Sequence, residues 1–402
     1  MKLLIVQDTD WIQRNPVQNT HLSERLVKQG YETRVIDYEI LWQSTGKKEL
    51  LSERQTFHVS IIIPNSDITV IRPRILKVPL LDYFSMLFTY SKEIQDQISE
   101  FKPDVIMGND ILTKFLAFRA ARKHNIPALF YSIDIDHRLI PYWFLQPIGK
   151  FIESYNIKHA DFVLSINEGL RDYTIKMGAS PEKTAVIGAG IDLEKFDANI
   201  NGMEIREKFG IKKQDFVLFF VGWLYHFSGL KEVATELVKI KDLRPDIKLL
   251  LVGDGDAYDD LKKIQEENHL ENNIILAGKQ PYDILPKYIA AANICILPAY
   301  DNEIMHDIVP FKLYEYMAMG KPIIATRLNG LMKEFGENHG LIYAERPEDV
   351  VPIAIDLINS GNCIIEGQKG RKFVEKSRWD NITASFDHLL IELLLKKKRT
   401  NK

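Results

Sequence analysis

Lys312 and Glu315 stand three residues apart in VPFKLYEYMAMGKPIIAT (309–326), so a helix there puts an ammonium and a carboxylate on one face. Pro310 suits the first position of that helix, where a missing N–H costs nothing. Free first-turn N–H groups favour an anion such as phosphate. Lys312 can neutralise that anion, and Glu315 can accept two hydrogen bonds from a diol such as ribose. The plain alternative is a salt bridge within the helix. Three apolar runs upstream end in glycine: Val221-Gly222-Trp223, Val252-Gly253-Asp254-Gly255 and Ala277-Gly278-Lys279. Glycine lets a backbone turn tightly and come close to a phosphate or base, so these ends are expected to floor a nucleotide site. Ordinary turns use glycine too. Gly222, Trp223, Asp254, Lys279, Lys312, Leu313 and Glu315 are the candidate residues of such a nucleotide site.

A second polar group follows the apolar run ALFYSI. In IDIDHRLIPYW, Asp134 and Asp136 flank His137, and Tyr142 and Trp143 could stack on a sugar or a lipid chain. The plain alternative is a helix capped by Asp136 with His137 in solvent. Near the start, QDTDWIQRNPVQNTHLSERL places Arg14 and His21 where a helix begins, a pair suited to an anionic acceptor or to phosphates. Neither LLIVQDTDW nor FFVGWLYHF supplies the G-x-G-x-x-G of a hydride-transferring dinucleotide fold, and no H-E-x-x-H or C-x-x-C is present.

The elements that must position these residues alternate. LLIV, ETRVIDY, HVSIIIP (58–64), DVIMG, ALFYSI, FVLSI and TAVIGAG are expected strands. Helices are expected near 20–29, at 82–100 and in LTKFLAFRAARKHN, where Leu112, Phe115, Leu116 and Ala120 share a side. From residue 215 the pattern starts over, with DFVLFFVG, KLLLVGDG, NIILAG, ICILPA, PIIAT and LIYA as strands, helices between them and a helix near 348–359. Short apolar runs without clean alternation suit parallel sheets covered on both faces, which is doubly wound α/β topology. The chain is read as a first domain over 1–196, a polar linker over 197–214, a second domain over 215–375 and a final helix with a basic tail over 376–402. Two such domains facing a cleft bind ligands at the carboxyl ends of their strands.

Composition narrows the function classes. The 402 residues are 46% hydrophobic and 27% charged with a formal net charge of -3, which gives no reason to expect a nucleic-acid partner. Two cysteines, Cys295 and Cys363, build no disulfide framework and fit a reducing, cytoplasmic compartment. MKLLIVQDTDW is too briefly apolar for a signal peptide, and no window reaches 18 uncharged apolar residues. In DHLLIELLLKKKRTNK an apolar helix meets Lys396, Lys397, Lys398 and Arg399. A docked helix with a solvated end explains it, and so does a weak contact with anionic lipid at the inner face of the cell membrane.

The stretch 309–326 also resembles the C-terminal signature of retaining glycosyltransferase family 4, in which two glutamates with seven residues between them precede a Met-Ala and Gly-Lys-Pro pattern. Glu315 matches the second glutamate, which in the family binds donor ribose. Asp307 stands where the first, beside the donor sugar, is expected. GASPEKTAVIGAGIDLEKF, with Ala189 where asparagine is usual, LLLVGDG, NIILAG and SRWDNITASFDHLL resemble family segments in the family's order. FFVGWLYHFSGLKEV resembles the segment that carries an arginine and a lysine for the donor diphosphate, but Trp223 and Ser228 occupy those places. The N-terminal half resembles a prokaryotic, largely archaeal subgroup with a Trp-x-x-Arg-Asn-Pro opening. The resemblance implies two Rossmann-like domains (GT-B-type), a final helix crossing back to the first, and sugar transfer with retention from a nucleotide-sugar to an envelope lipid, a glycan or a small acceptor. It also implies that no metal or other cofactor is needed. His137 is then the histidine that approaches the donor sugar, and Asp307, His137 and Asp136 are the candidate catalytic residues. Lys312 would be the one side chain on the diphosphate, with backbone N–H groups helping, and Arg14, His21 and Trp143 would serve the acceptor or phosphate side. A nucleotide-sugar epimerase and a non-catalytic nucleotide-sugar-binding protein are the alternative readings.

Overall fold

The computed structural model describes residues 1–13, 17–39, 50–78, 81–140 and 142–400. The chain forms two compact units, Met1–Gly190 with Trp379–Lys402, and Ile191–Arg378. In the first unit eight strands form one sheet: β1 (Lys2–Val6), β2 (Glu32–Ile36), β3 (Gln55–Val59), β4 (Ile68–Arg72), β5 (Val105–Gly108), β6 (Ala128–Ser132), β7 (Phe162–Ser165) and β8 (Thr184–Val186). Their order is β3-β4-β2-β1-β5-β6-β7-β8, and β3, which pairs antiparallel with β4, is the exception in an otherwise parallel sheet. The order reverses between β1 and β5, the point where open α/β sheets bind ligands.

Successive residues of these strands serve opposite faces. Leu4, Val6, Ile36, Ile106 and Phe130 pack with Met86, Tyr90 and Ile94 of the helix Leu81–Glu100 and with Ala117 and Ala121 of the helix Leu112–Lys123. Leu3, Ile5, Val35, Met107 and Tyr131 pack on the other face with Leu22 and Leu26 of the helix Gln18–Lys28. Trp379, Phe386, Leu390 and Leu393 of the last helix, Trp379–Thr400, join that second face, so the end of the chain returns to the first unit. Each such side chain taken fully from water contributes about 1.5–3 kcal/mol.

Two local expectations change. The apolar run Ile61–Ile63 is a loop and not a strand, because the buried Glu24 carboxylate accepts the N–H groups of Ile61, Ile62 and Ile63 at 2.6, 2.9 and 2.6 Å. The buried side of Leu112–Lys123 centres on Thr113, Lys114, Ala117 and Ala121, while Leu112 and Phe115 are only partly buried.

In the second unit β9 (Phe216–Val221), β10 (Ile247–Val252), β11 (Ile274–Leu276), β12 (Ile294–Leu297), β13 (Ile323–Thr326) and β14 (Leu341–Ala344) form a parallel sheet in the order β11-β10-β9-β12-β13-β14. This is the doubly wound dinucleotide-fold order, with its reversal between β9 and β12. The segment 197–214 is part of this unit and not a free linker. It carries the helix Met203–Lys208, whose buried Arg206 donates to the carbonyls of Ala291, Lys212 and Asp215 and to Asn293 Oδ1.

Candidate functional site

In the second unit the site forms where the sheet order reverses. Gly222, at the end of β9, has φ 142°, a region open to glycine, and a Cβ there would stand 2.4 Å from Lys312 Nζ. The missing side chain is what admits the lysine. Lys312 opens the helix Lys312–Ala318, and its ammonium lies 4.0 Å from the centre of the Phe220 ring. It is partly buried and has no salt-bridge partner among the described residues. Burial lowers its pKa to about 8, against a smaller opposing effect of Glu315. An unpaired cation held partly out of water is suited to a polyanion.

Glu315, one turn on, accepts a 2.9 Å hydrogen bond from the Tyr282 hydroxyl on Oε1. Burial raises its pKa, opposed in turn by the Tyr282 bond, Lys312 and Lys195. Tyr282 is fixed by an edge contact with Phe196 and by the Lys195 ammonium 4.0 Å above its ring. One oxygen of Glu315 is thus engaged and oriented, and the other can meet a diol. Asp307 lies in the loop before this helix, with Oδ1 accepting from Asn329 Nδ2 at 2.6 Å. The loop can approach because Gly330 lacks a side chain: a Cβ there would sit 2.6 Å from the Asp307 carbonyl oxygen.

Several expected donor residues take other places. Leu313 is fully buried, and its N–H donates to Pro310 O, so its side chain belongs to the core. The N–H groups of Tyr314 and Glu315 both reach Phe311 O, which leaves the first turn less free for an anion than its sequence suggests. Ser228 is buried with its hydroxyl donating to Tyr225 O, so it is not free to replace a lost cation. Trp223 is half exposed beside Tyr225. Asp254 is exposed and turns back to accept from Gly255 N–H, and Lys279 is exposed at the end of β11.

In the first unit the carboxyl ends of β1, β5 and β6 converge. Asp136 and His137 lie in a short 3-10 turn, Asp136–Leu139. Asp136 accepts a 2.9 Å bond from the ammonium of Lys114, which is fully buried and 3.5 Å from the centre of the Phe130 ring. Burial raises the Asp136 pKa to about 7; Lys114 opposes this, and Glu153 and Asp110 add to it. Asp8, beyond β1, donates its N–H to Asp110 Oδ2 at 2.9 Å. Its carboxyl is raised well above the usual carboxylate range by burial and then by Asp110. Asp110 itself has φ 65°, a left-handed conformation costly for a residue with a Cβ, directly at the reversal point. His137 Nδ1 stands 2.7 Å from Glu153 Oε2, the same oxygen accepts the His137 N–H at 3.2 Å, and the Tyr173 hydroxyl is 3.2 Å from Nδ1. Glu153 therefore fixes the ring and leaves Nε2 as its outward atom.

Asp8, Asp110, Lys114, Glu153 and Tyr173 were not singled out in the sequence. The signal was there for two of them, since Asp8 and Asp110 each stand two residues past an apolar run, but only the strand order brings those ends together. His21 is stacked on Trp379 at 4.3 Å and 8°, and Arg25 lies over the same ring at 4.8 Å, so His21 has a packing role between two helices. Trp143 is exposed. Arg14 lies outside the described residues. In the tail, Lys397 bonds Asp161 at 2.8 Å and Lys396 stands 3.9 Å from Glu392. Among the described residues no three His, Cys, Asp or Glu side chains are grouped to hold a metal ion, and no single helix is long and apolar enough to cross a membrane.

Two family models match this chain: Glycosyltransferase Family 4 over residues 17–195, and Glycosyl transferases group 1 over residues 202–378. An uncharacterized glycosyltransferase of Methanocaldococcus jannaschii is 25% identical over 79% of this chain and 78% of its own length. The UDP-Gal:alpha-D-GlcNAc-diphosphoundecaprenol alpha-1,3-galactosyltransferase of Escherichia coli is 26% identical over 57% of this chain, and the match spans only 59% of that protein. Among solved structures, Anabaena HepE in complex with UDP superposes with a TM-score of 0.74 at 17% identity, covering 98% of this chain and all of that one. Sucrose-phosphate synthase from Thermosynechococcus elongatus gives 0.75 at 17% identity with the same coverage. At these identities the structures speak for the fold, two Rossmann-like domains of GT-B type.

Proposed function

The chain belongs to glycosyltransferase family 4, and from that premise we propose that it transfers a hexosyl group, with retention of anomeric configuration, from a nucleotide-sugar in its second unit to a hydroxyl acceptor served by its first. The observation that carries this reading is Lys312: a partly buried, unpaired ammonium against Gly222, one turn from a carboxylate oriented by Tyr282. Lys312 meets the diphosphate, Glu315 meets the ribose diol, and Asp307 offers Oδ2 to a hydroxyl of the donor sugar. The bond between the sugar's anomeric carbon and the diphosphate breaks and the acceptor oxygen bonds to the same carbon. The acceptor proton passes to the departing phosphate oxygen. Charge builds on that oxygen in the transition state, so a fixed cation beside it lowers the barrier more than it tightens ground-state binding.

UDP is bound in the HepE structure and UDP-galactose is the donor of the E. coli relative, which makes UDP-sugars the first donors to test. Lipid-linked, glycan and small-molecule acceptors are the classes to offer. Asp136, raised to about 7, and His137, oriented by Glu153, are proposed to position that acceptor. Metal independence is proposed as well, with Lys312 supplying the positive charge. A contact of the basic tail with anionic lipid at the inner membrane face is a further part of the reading, reduced by the pairing of Lys397 and Lys396.

The test is incubation with UDP-sugars, with and without cell lipid extract or free sugars, following UDP release and product mass. Transfer that requires an acceptor, survives a chelator and yields the donor's own anomer is the expected result. An epimerised donor without acceptor, or binding without turnover, would overturn it.

A further inference from the structure

The turn before the helix Gln146–His159, and the start of that helix, present apolar side chains to solvent. Trp143 is 79% exposed and Phe151 73%, and Phe144 and Ile148 are each more than half exposed. The rings of Tyr142 and Trp143 stand 5.8 and 6.2 Å from that of Phe144. Apolar groups gathered in this way on a soluble surface mark an interaction site. The first unit carries a second exposed apolar strip. On the helix Leu81–Glu100, Leu81, Phe84 and Phe88 share one face and are exposed.

Lysines gather along this surface, with Asp172 exposed one turn before Lys176 on the helix Glu168–Lys176. Phe151 lines an open groove together with Lys150, Lys158 and Lys176, and none of the three lysines has an ion-pair partner among the described residues. The one carboxylate of the helix Gln146–His159 is Glu153, which is 1% exposed and turned inward to His137. Aromatic rings beside unpaired lysines match a headgroup layer, where rings enter the acyl boundary and ammonium groups meet phosphates. A fluid array of phosphates suits flexible lysine heads, whereas a protein partner would have to set a carboxylate against each.

We propose that this face of the first unit docks on the surface of an anionic lipid bilayer, with Trp143, Phe144, Ile148 and Phe151 entering the headgroup layer and Lys150, Lys158 and Lys176 meeting lipid phosphates. The attachment is peripheral and reversible, because the apolar side chains come from one turn and the flank of one helix. It goes beyond the transferase reading and does not require that the acceptor be lipid-linked.

The experiment is sedimentation of the full chain with vesicles of phosphatidylcholine and phosphatidylglycerol in equal parts, against phosphatidylcholine alone, at low and high salt. Salt-sensitive binding to the anionic vesicles is expected. The triple variant Lys150→Ser, Lys158→Ser, Lys176→Ser should lose about tenfold or more in partitioning. Trp143→Ser with Phe151→Ser should lose binding at both salt concentrations, and thermal melts of both variants should match the parent. A vesicle-induced blue shift of tryptophan fluorescence should vanish in Trp143→Phe. Serines at Lys396, Lys397, Lys398 and Arg399 should leave most of the binding in place. Undiminished binding of the lysine variant, or loss confined to the tail variant, would overturn the proposal. So would an absence of vesicle binding together with a dimer dispersed by Trp143→Ser and Phe151→Ser, which would assign the face to a second copy of the chain.

Discussion

Raising the pH should loosen the enzyme's hold on a nucleoside diphosphate, because the ammonium proposed to bind it loses its proton near pH 8. Lys312 lies against Phe220 and Gly222 without an ion pair among the described residues, and burial lowers its pKa to about 8. With that value roughly nine tenths of the molecules carry the charge at about pH 7, and roughly one tenth at about pH 9. A diphosphate prefers the charged form, so binding takes up a proton once the free lysine has lost it. Affinity then falls with rising pH from about pH 8, by at most about one decade per pH unit for one proton. Removing the charge by Lys312→Met forfeits hydrogen bonds to a charged group, about 1.5–3 kcal/mol, or about 10- to 150-fold in UDP affinity, while uridine binding stays as it was. The same burial opposes folding of the protonated form. The unfolded chain binds more protons between about pH 8 and 10.5, so stability rises with pH across that window. The neutral, similarly shaped methionine should therefore stabilise the free enzyme by about 1–2 kcal/mol near neutral pH, allowing for partial exposure. Calorimetry with UDP and uridine, in buffers of different ionisation enthalpy, reads affinity and proton uptake together, and thermal melts read the stability. UDP affinity that stays flat from neutral to alkaline pH, or equal losses for UDP and uridine in Lys312→Met, would refute the assignment.

Glu315→Gln should weaken uridine and UDP alike, by about 1 kcal/mol, because the ribose is common to both. Its preference for uridine over 2′-deoxyuridine should disappear, and a retained preference would remove Glu315 from the ribose. Glu153→Gln keeps a hydrogen-bonding partner near His137 but not its charge, and kcat is expected to fall about tenfold or more with a shifted pH profile and little change in melting temperature. Parallel loss of stability and activity with an unchanged pH profile would mean that Glu153 serves packing alone.

What was legible in the sequence was what local chemistry dictates. All six strands of the second unit show as apolar runs separated by helical patterns, and its sheet follows the doubly wound order expected of them. Lys312 and Glu315 share a helix face as their spacing required. Where the structure adds to the local reading or departs from it, a distant group most often decides the outcome. Ile61–Ile63 looks like a strand until Glu24, thirty-seven or more residues earlier, takes its N–H groups. Lys114 carries no signal of its own in the sequence, yet Asp136 and the Phe130 ring hold it in the interior. Leu313 reads as a neighbour of the ligand, but one helical step beyond Lys312 turns its side chain into the core. His21 reads as an anion contact, but Trp379, more than 350 residues later, stacks upon it.

Trp223 and Ser228, where family members resembling this chain carry an arginine and a lysine, bear directly on Lys312. Ser228 gives its hydroxyl to Tyr225 O and Trp223 is uncharged, so neither can neutralise a phosphate. At the reversal point of the second sheet, Lys312 is then the cation whose placement the local backbone was shaped to permit: a side chain at residue 222 would occupy the space of its ammonium. A site with several cations can lose one and still hold a diphosphate. A site that depends on one ties donor affinity, pH dependence and leaving-group stabilisation to a single proton. Asp307 fits the same pattern. Its shorter side chain is held on Oδ1 by Asn329, and Gly330 lets its backbone settle against the helix Asn329–Phe335, so its position is set by the loop and not by the length of the side chain. In both places a departure from the family's residue comes with a contact that fixes what remains. Both contacts fit the proposed donor site as one built with fewer charges.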